Sequence, residues 1–194
     1  VYRVLKRGAF AVFVVGDIRD KERLILATKE ADIIFHTAAL KHVPLCEFNP
    51  FEAVKTNVIG TNNVIEAAIS QNVDKVINIS TDKVTNTINT LGSTKLLGER
   101  LMASAQYWKG GKRTIFSSVR FGNVVGSNGS VVDLFKNQIS KGGPVTITDP
   151  KMTRFIMSTK QAVKLVLDTV KEMEGGEIFI LKMGTPVKIL DMAR

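Results

Sequence analysis

Short, predominantly apolar runs alternate along the chain with longer stretches in which apolar residues recur every third or fourth position. Ala11 to Gly16, Ala31 to Thr37, Val76 to Ser80, Thr114 to Val119 and Glu177 to Leu181 are of the first kind. Such runs, short and without a polar alternate, are the mark of strands covered on both faces. The second kind predicts helices. One of about ten residues starts at Lys21 with Asp20 as N-cap, and a long one runs from Asn49-Pro50 to Ser70, lining up Val54, Val58, Ile65 and Ala68 on one face. Further helices are expected over Leu91 to Tyr107, up to Ile139, and over Thr159 to Met173. Residues 1 to 8 read as a helix end closed by Gly8, with basic residues where they suit the helix dipole. Lys141-Gly142-Gly143-Pro144 is a turn that leads to a short strand from Val145 to Thr148. Strands alternating with helices predict an α/β fold, a doubly wound parallel sheet.

Composition narrows the class. With 194 residues, 44% hydrophobic and 23% charged, the chain has the make-up of one ordinary globular domain. No apolar run approaches the ~18 residues of a membrane span, and the amino terminus has no basic-then-apolar export signal, so a cytoplasmic location without a membrane segment is expected. The net charge of +9 favours anionic partners. The basic residues are dispersed and not interleaved with aromatics, which argues for a small anionic ligand and against nucleic acid. Cys46 has no partner for a disulfide or a thiolate site and reads as a partly buried thiol; His36 and His42 are too few for zinc, so no metal is expected.

Candidate chemistry gathers at Ser80-Thr81-Asp82-Lys83, between an apolar run and a helix. Open α/β sheets carry reactive groups at the carboxyl ends of their strands. Asp82 and Lys83 are therefore placed at the mouth of a cleft, with an exposed Asp-Lys turn as the plainer alternative. Ala38 and Ala39, just past a strand, are small enough to let a ligand approach the backbone. Gly122, Gly126 and Gly129 read as turn glycines first and phosphate contacts second.

Six segments occur in an order that resembles a known family: Gly16-Asp17-Ile18-Arg19-Asp20, Ala38-Ala39-Leu40-Lys41-His42-Val43-Pro44, Thr56 to Thr61, Ser80 to Lys83, Arg120 to Gly126 and Asp149 to Phe155. From about Phe13 onward the chain resembles the extended short-chain dehydrogenase/reductase superfamily, and within it the capsular-polysaccharide type of UDP-N-acetylglucosamine 4,6-dehydratase. The resemblance implies a Rossmann-like fold that binds NAD or NADP, a UDP-sugar substrate, and a homo-oligomer, a dimer or higher, whose helices at 51–70 and 91–107 form a four-helix contact. By the same resemblance, Asp17 and Ile18 lie against the adenine, Ala38, Ala39 and Lys41 line the ribose and phosphates, Asn57 steadies the strand ends, and Lys95 bonds the nicotinamide ribose. A turn cap is the alternative for Asp17. Lys83 is the implied base for the sugar C5 proton, Asp82 the acid for the C6 hydroxyl, and Thr81 with Asp82 the acceptor of the C4 hydroxyl proton. His42, Asn123, Ser127, Ser130 and Arg154 would meet the substrate, Arg154 by gripping a phosphate with two hydrogen bonds.

The chain departs from the superfamily twice. The tyrosine expected four residues before the helix lysine is Leu91 here, which cannot exchange a proton; this sets the chain nearer the larger, membrane-anchored dehydratases. No glycine-rich strand-turn-helix, the usual pyrophosphate site, precedes Phe13. Residues 1–194 are therefore expected to form a single incomplete NAD(P)-binding domain that lacks the first β-α-β unit, with part of the substrate region in 120–194. The missing strands of such a sheet lie between the runs at Ala11 and Ile33. The Ala11 strand is accordingly expected to pair in parallel with Ile33, or a second chain to fill the gap. An epimerase or reductase of the same superfamily, and a non-catalytic remnant acting through protein association, remain as alternatives.

Overall fold

The computed structural model describes residues 13–126 and 130–194. Helix α1 (Lys21–Ala27) starts where the Asp20 carboxylate accepts the Arg23 amide. Strand β1 (Ile33–His36) follows, then α2 (Val43–Phe48) and α3 (Pro50–Val54), each with proline in its first turn. There the missing amide costs nothing and the fixed φ already suits a helix. A π-helical turn (Lys55–Ile59) joins α3 to α4 (Gly60–Gln71). Strand β2 (Lys75–Ile79) runs into a single 3-10 turn (Asp82–Val84), and α5 (Thr90–Trp108) starts at Asn89, whose side chain accepts the Gly92 amide. Next come β3 (Ile115–Arg120), β4 (Asn123–Val124), α6 (Val131–Ser140), β5 (Thr153–Arg154), β6 (Ile156–Met157), α7 (Thr159–Glu172), β7 (Ile178–Ile180), β8 (Val187–Lys188) and α8 (Ile189–Ala193).

The main sheet is parallel throughout, in the order β1-β2-β3-β7. Its register pairs Val76 with Phe116 and Ile79 with Val119. Side chains alternate across a strand, so the two faces build two cores. Val76 and Phe116 pack with Val64, Ile65 and Ala68 of α4 and with Met102 and Ala105 of α5. Ile77 and Val119 pack on the opposite side with Leu165, Val166 and Val170 of α7. Helices on both faces of a parallel sheet make the fold a doubly wound α/β fold. Two small sheets, β4 with β6 and antiparallel β5 with β8, stand beyond the carboxyl ends of the strands.

Two expectations fail. Residues 13–16 of the apolar run that begins at Ala11 form no strand; Phe13, Val14 and Val15 are exposed, and the Val15 carbonyl accepts instead from Arg23 Nε at 2.6 Å. Ala11, Val12 and the helix end at Gly8 lie outside the described residues. Among the described residues no strand pairs with the outer edge of β1, where Ile33 and Phe35 are each 40% exposed. The direct pairing of the Ala11 run with Ile33 is therefore not found. Val145 to Thr148 is also no strand: the Gln138 side chain holds both the amide and the hydroxyl of Thr146, tying the segment to α6. The long helix expected from Asn49 to Ser70 is continuous over residues 50–71, with one π-helical turn between α3 and α4.

Candidate active site

The carboxyl ends of β1, β2 and β3 open on a cleft of about 270 Å³. Thr37, Ala39 and Lys41 line it from the loop after β1; Ser80, Thr81 and Lys83 from the end of β2; Leu91 and Lys95 from α5; and Phe121, Gly122, Asn123 and Val124 from the chain after β3. A second cavity of about 320 Å³ adjoins it through Lys83 and is lined by Asp82, Thr85, Thr153, Arg154, Phe155 and Pro186. The ends of β1, β2 and β3, with α5 and β5, thus bring Thr81, Asp82, Lys83, Lys95, Ala39, Lys41, Asn123 and Arg154 to one region.

The 3-10 turn sets the local geometry. Thr81 donates its hydroxyl proton to Asp82 Oδ1 at 3.0 Å, and Lys83 Nζ donates to the same oxygen at 3.2 Å. The Asp82 amide donates to the Phe121 carbonyl at 3.2 Å, which fastens the turn to the chain leaving β3. From the other side α5 comes so close that a Cβ on Gly92 would stand 2.7 Å from the Lys83 carbonyl oxygen. Only glycine fits there without moving one backbone against the other.

Lys95 reaches from α5 under the cleft and donates to the Ile79 carbonyl at 2.5 Å. Burial lowers the pKa of its ammonium to about 8, opposed by the negative charge of Glu99 one helical turn on. Glu99 is fully buried and is held by Arg120, whose Nε and Nη2 donate to its two oxygens at 2.8 and 2.6 Å. His36, at the end of β1, is buried as well; burial first and the Lys95 charge second pull its pKa down to about 4. Ser80 Oγ and Asn123 Oδ1, in two residues that line the cleft, are buried and have no hydrogen-bond partner.

Other residues singled out from the sequence stand elsewhere. Asn57, in the π-helical turn, does not line the cleft; it accepts the Leu40 amide at 2.8 Å, donates to the Leu40 carbonyl at 3.0 Å and to Thr94 Oγ1 at 3.1 Å, and so clamps the loop that follows β1. Asp17 is exposed and its carboxylate is taken by Arg19, which holds its pKa down at about 2. Ile18 packs over Gly60, where a Cβ would meet its Cδ1 at 2.6 Å. Ala38 and His42 are exposed, His42 standing at the N-cap of α2 without a side-chain cap bond. Ser130 is engaged in the capping box of α6 with Asp133. Ser127 and Gly129 lie outside the described residues.

Residues 3–194 match the family described as polysaccharide biosynthesis protein. The chain belongs to that family. An uncharacterized membrane protein of Methanocaldococcus jannaschii is 62% identical over 178 residues, 92% of this chain and 53% of that protein. A UDP-N-acetylglucosamine 4,6-dehydratase (inverting) of Campylobacter jejuni is 48% identical over 182 residues, 93% of this chain and 54% of that one. A UDP-glucose 4-epimerase of Rickettsia rickettsii is 45% identical over 170 residues, 88% of this chain and 50% of the epimerase. The crystal structure of Pen from Bacillus thuringiensis superposes with a TM-score of 0.89 at 50% identity, over 92% of this chain and 54% of Pen. At 21% identity and a TM-score of 0.82, a dTDP-glucose 4,6-dehydratase of Streptomyces venezuelae solved with NAD bound shares the fold over 92% of this chain and 60% of its own. The chain spans about half the length of the curated relatives it matches.

The residues near the cleft to which the sequence assigned no role are Ser80, His36, Glu99 and Arg120. Ser80 was within reach, being one position before Thr81 at a strand end. Glu99 carries a weaker signal, an acidic residue four positions after Lys95 on the same helix. Its burial depends on Arg120 arriving from β3, which the order of residues does not announce. No described helix is long and apolar enough to cross a membrane, and no group of His, Cys, Asp or Glu among the described residues is arranged to hold a metal ion.

Proposed function

We propose that the chain carries the reaction centre of a nucleotide-sugar 4,6-dehydratase of the UDP-N-acetylglucosamine type, serving surface polysaccharide biosynthesis with NAD or NADP as cofactor. The observation that carries this reading is the convergence of Thr81, Asp82 and Lys83 from the end of β2 with Lys95 from α5, beside a cavity that presents Arg154. The cleft suits the nicotinamide end of the cofactor. Small Ala39 gives access to the backbone, Lys95 offers a donor for ribose hydroxyls, and the orphaned Ser80 Oγ and Asn123 Oδ1 await polar partners. The fit does not extend to the pyrophosphate, because the described residues include no glycine-rich turn opening a helix at a strand end. A bound nicotinamide would supply the redox chemistry, taking hydride from sugar C4 and returning it at C6.

The chain's own residues then have proton work to do. Leu91 stands buried on the cleft wall where the superfamily's tyrosine would be, so the hydroxyl available to the C4 proton is that of Thr81, already bonded to Asp82. A ketone at C4 acidifies the C5 proton, which Lys83 removes, while Asp82 delivers a proton to the departing C6 hydroxyl. An ammonium bonded to a carboxylate has no lone pair to offer, so Lys83 must shed its proton as the substrate enters, and Asp82 must gain one from the C4 hydroxyl through Thr81, before the elimination begins. Arg154 would hold the diphosphate with its planar guanidinium. Exposed apolar side chains on α3 and α5, among them Phe51, Leu97 and Tyr107, suit association into a dimer or higher oligomer.

The test is a calorimetric titration with NADH, followed by product NMR after incubation with UDP-N-acetylglucosamine. A 4-keto-6-deoxy product that Asp82→Asn and Lys83→Met each reduce by about a hundredfold or more supports the reading. A C4 epimer would favour the epimerase reading, for which the Rickettsia relative speaks. Cofactor binding with neither product, unaltered by both substitutions, would refute the dehydratase.

A further inference from the structure

The buried pair behind the cleft, Glu99 and Arg120, has no part in the proton chemistry above, yet it is the most completely desolvated charge arrangement among the described residues. We propose that Glu99, clasped by Arg120, is a positioning residue for Lys95: its carboxylate keeps the lysine ammonium charged and ordered beneath the cleft. This deepens the dehydratase reading, since it matters to catalysis only if Lys95 serves the cofactor.

Stability does not explain the pair. Taking a carboxylate and a guanidinium out of water costs several kcal/mol each, and well-packed apolar residues in their place are often as stable or more so. The surroundings of Lys95 do explain it. Its ammonium is buried, with a backbone carbonyl as its hydrogen-bond partner. The charged or titratable groups around it are His36 from β1, Lys41 from the loop after β1, Asp82 and Lys83 from the turn after β2, Arg120 from β3, and Glu99 from its own helix. Only Asp82 and Glu99 of these can be negative. Asp82 is engaged by Lys83 and by the Thr81 hydroxyl. Glu99, although it shares its charge with Arg120, is fully buried one helical turn from Lys95, where little water screens it, and it opposes the effect of burial on Lys95.

Arg120 gives the arrangement its second property. It is the last residue of β3, and the next four residues form one wall of the cleft. The Arg120 carbonyl also accepts the Leu181 amide at 3.1 Å. Through the clasp, the face of α5 that carries Lys95 is tied to the wall it faces. A disturbance of that wall would reach Lys95 through Glu99.

The experiment titrates Lys95 itself, in protein labelled with 13C and 15N at lysine, by correlating ε-carbon protons with the ζ-nitrogen across pH. Its signal is assigned as the one lost in Lys95→Met. The unsubstituted chain should show a midpoint near 8. Glu99→Gln keeps the shape and an acceptor for Arg120 but removes the charge, and should lower the midpoint by about one pH unit, a tenfold loss of proton affinity. Glu99→Asp retains the charge and should leave most of the midpoint in place. A midpoint unchanged in Glu99→Gln, with the circular dichroism of the parent, would overturn the proposal. If Glu99→Gln does not fold, the parent titration still decides: a midpoint below about 6 would mean that no effective counter-charge reaches Lys95. Failure of the dehydratase reading would appear in NADH binding and product NMR, neither of which enters this titration.

Discussion

Replacing His36 by glutamine should make the protein more resistant to acid. His36 Nε2 lies 3.0 Å from Thr61 Oγ1, and the Thr61 hydroxyl gives its single proton to the Asn57 carbonyl at 2.7 Å. Thr61 can therefore only accept from the imidazole, so Nε2 carries a hydrogen. In the unfolded chain His36 takes up its second proton near pH 6.5, whereas burial and Lys95 delay this to about 4 in the folded state. Between these values the unfolded chain holds a proton that the native one lacks, and native stability falls as the pH falls. Above 6.5 the residue contributes nothing to the pH dependence, and below about 4 the loss is complete. The gap corresponds to about 3 kcal/mol, a large part of the total for a domain of this size. Glutamine keeps an N–H for Thr61 and does not titrate. Urea unfolding of parent and His36→Gln, from about pH 7.5 down to about pH 4, isolates the effect, because every carboxylate contributes equally to both. The difference between the two stabilities should be constant above pH 6.5 and shift by about 3 kcal/mol in favour of the variant by pH 4. A difference that stays flat across the range would refute the reasoning, since it would mean that the ring is solvated or meets an unseen negative partner.

Gly92→Ala gains helix propensity but sets a methyl group against the Lys83 carbonyl, so it should cost about 1–3 kcal/mol in urea unfolding and shift the amide NMR signals of Thr81 to Val84; a net gain in stability with those signals unmoved would show that the contact relaxes freely. Phe116→Ala empties the centre of the core between β2, β3, α4 and α5 and should cost about 3–5 kcal/mol by the same assay. Asn57→Ala strands the amide and carbonyl of Leu40 and should cost about 3 kcal/mol, with faster hydrogen exchange at Leu40, whereas a loss of stability without faster exchange there would place the role of Asn57 elsewhere.

The parallel sheet and its helices were legible because burial on both faces writes itself into the sequence as uninterrupted apolar runs, and β2 and β3 follow those runs closely. The same rule misread Phe13-Val14-Val15, which stand exposed and unpaired with the outer edge of β1: an apolar run becomes a strand only when it reaches an edge, and that is a property of the whole sheet. Val145 to Thr148 failed similarly: its local propensity was overridden by one glutamine on α6. The cleft was legible where residues sit at a strand end, as with Thr81 and Lys83, since the position of a strand end follows from the position of the strand. Residues placed by loops were harder. Asp17, expected against the adenine with a turn cap as the alternative, accepts from the amide and the guanidinium of Arg19, and Ser130, expected to meet the substrate, caps α6. In both cases a short polar side chain finds the nearest backbone amide or cation first.

The positive charge of the chain also takes on a different meaning once it is placed. A net +9 suggests a broad attraction for anions, but most of the cations responsible are exposed, as in the pairs of Arg19, Lys164 and Lys171 with nearby carboxylates. Exposed charges are screened over about 8–10 Å at physiological ionic strength. The row formed by buried Lys95 and Glu99 and partly buried Arg120 is shielded far less, and with Glu99 ionised it carries one excess positive charge directly behind the cleft. A single unscreened charge at that depth outweighs a larger number spread over the surface, because its field is felt in a low-dielectric cleft at short range. Selectivity for an anionic ligand at this site should therefore persist in salt that abolishes loose polyanion binding. NADH affinity measured from about 50 mM to about 500 mM salt decides between the two origins: a weak dependence assigns the attraction to the buried row, and a steep one returns it to the surface.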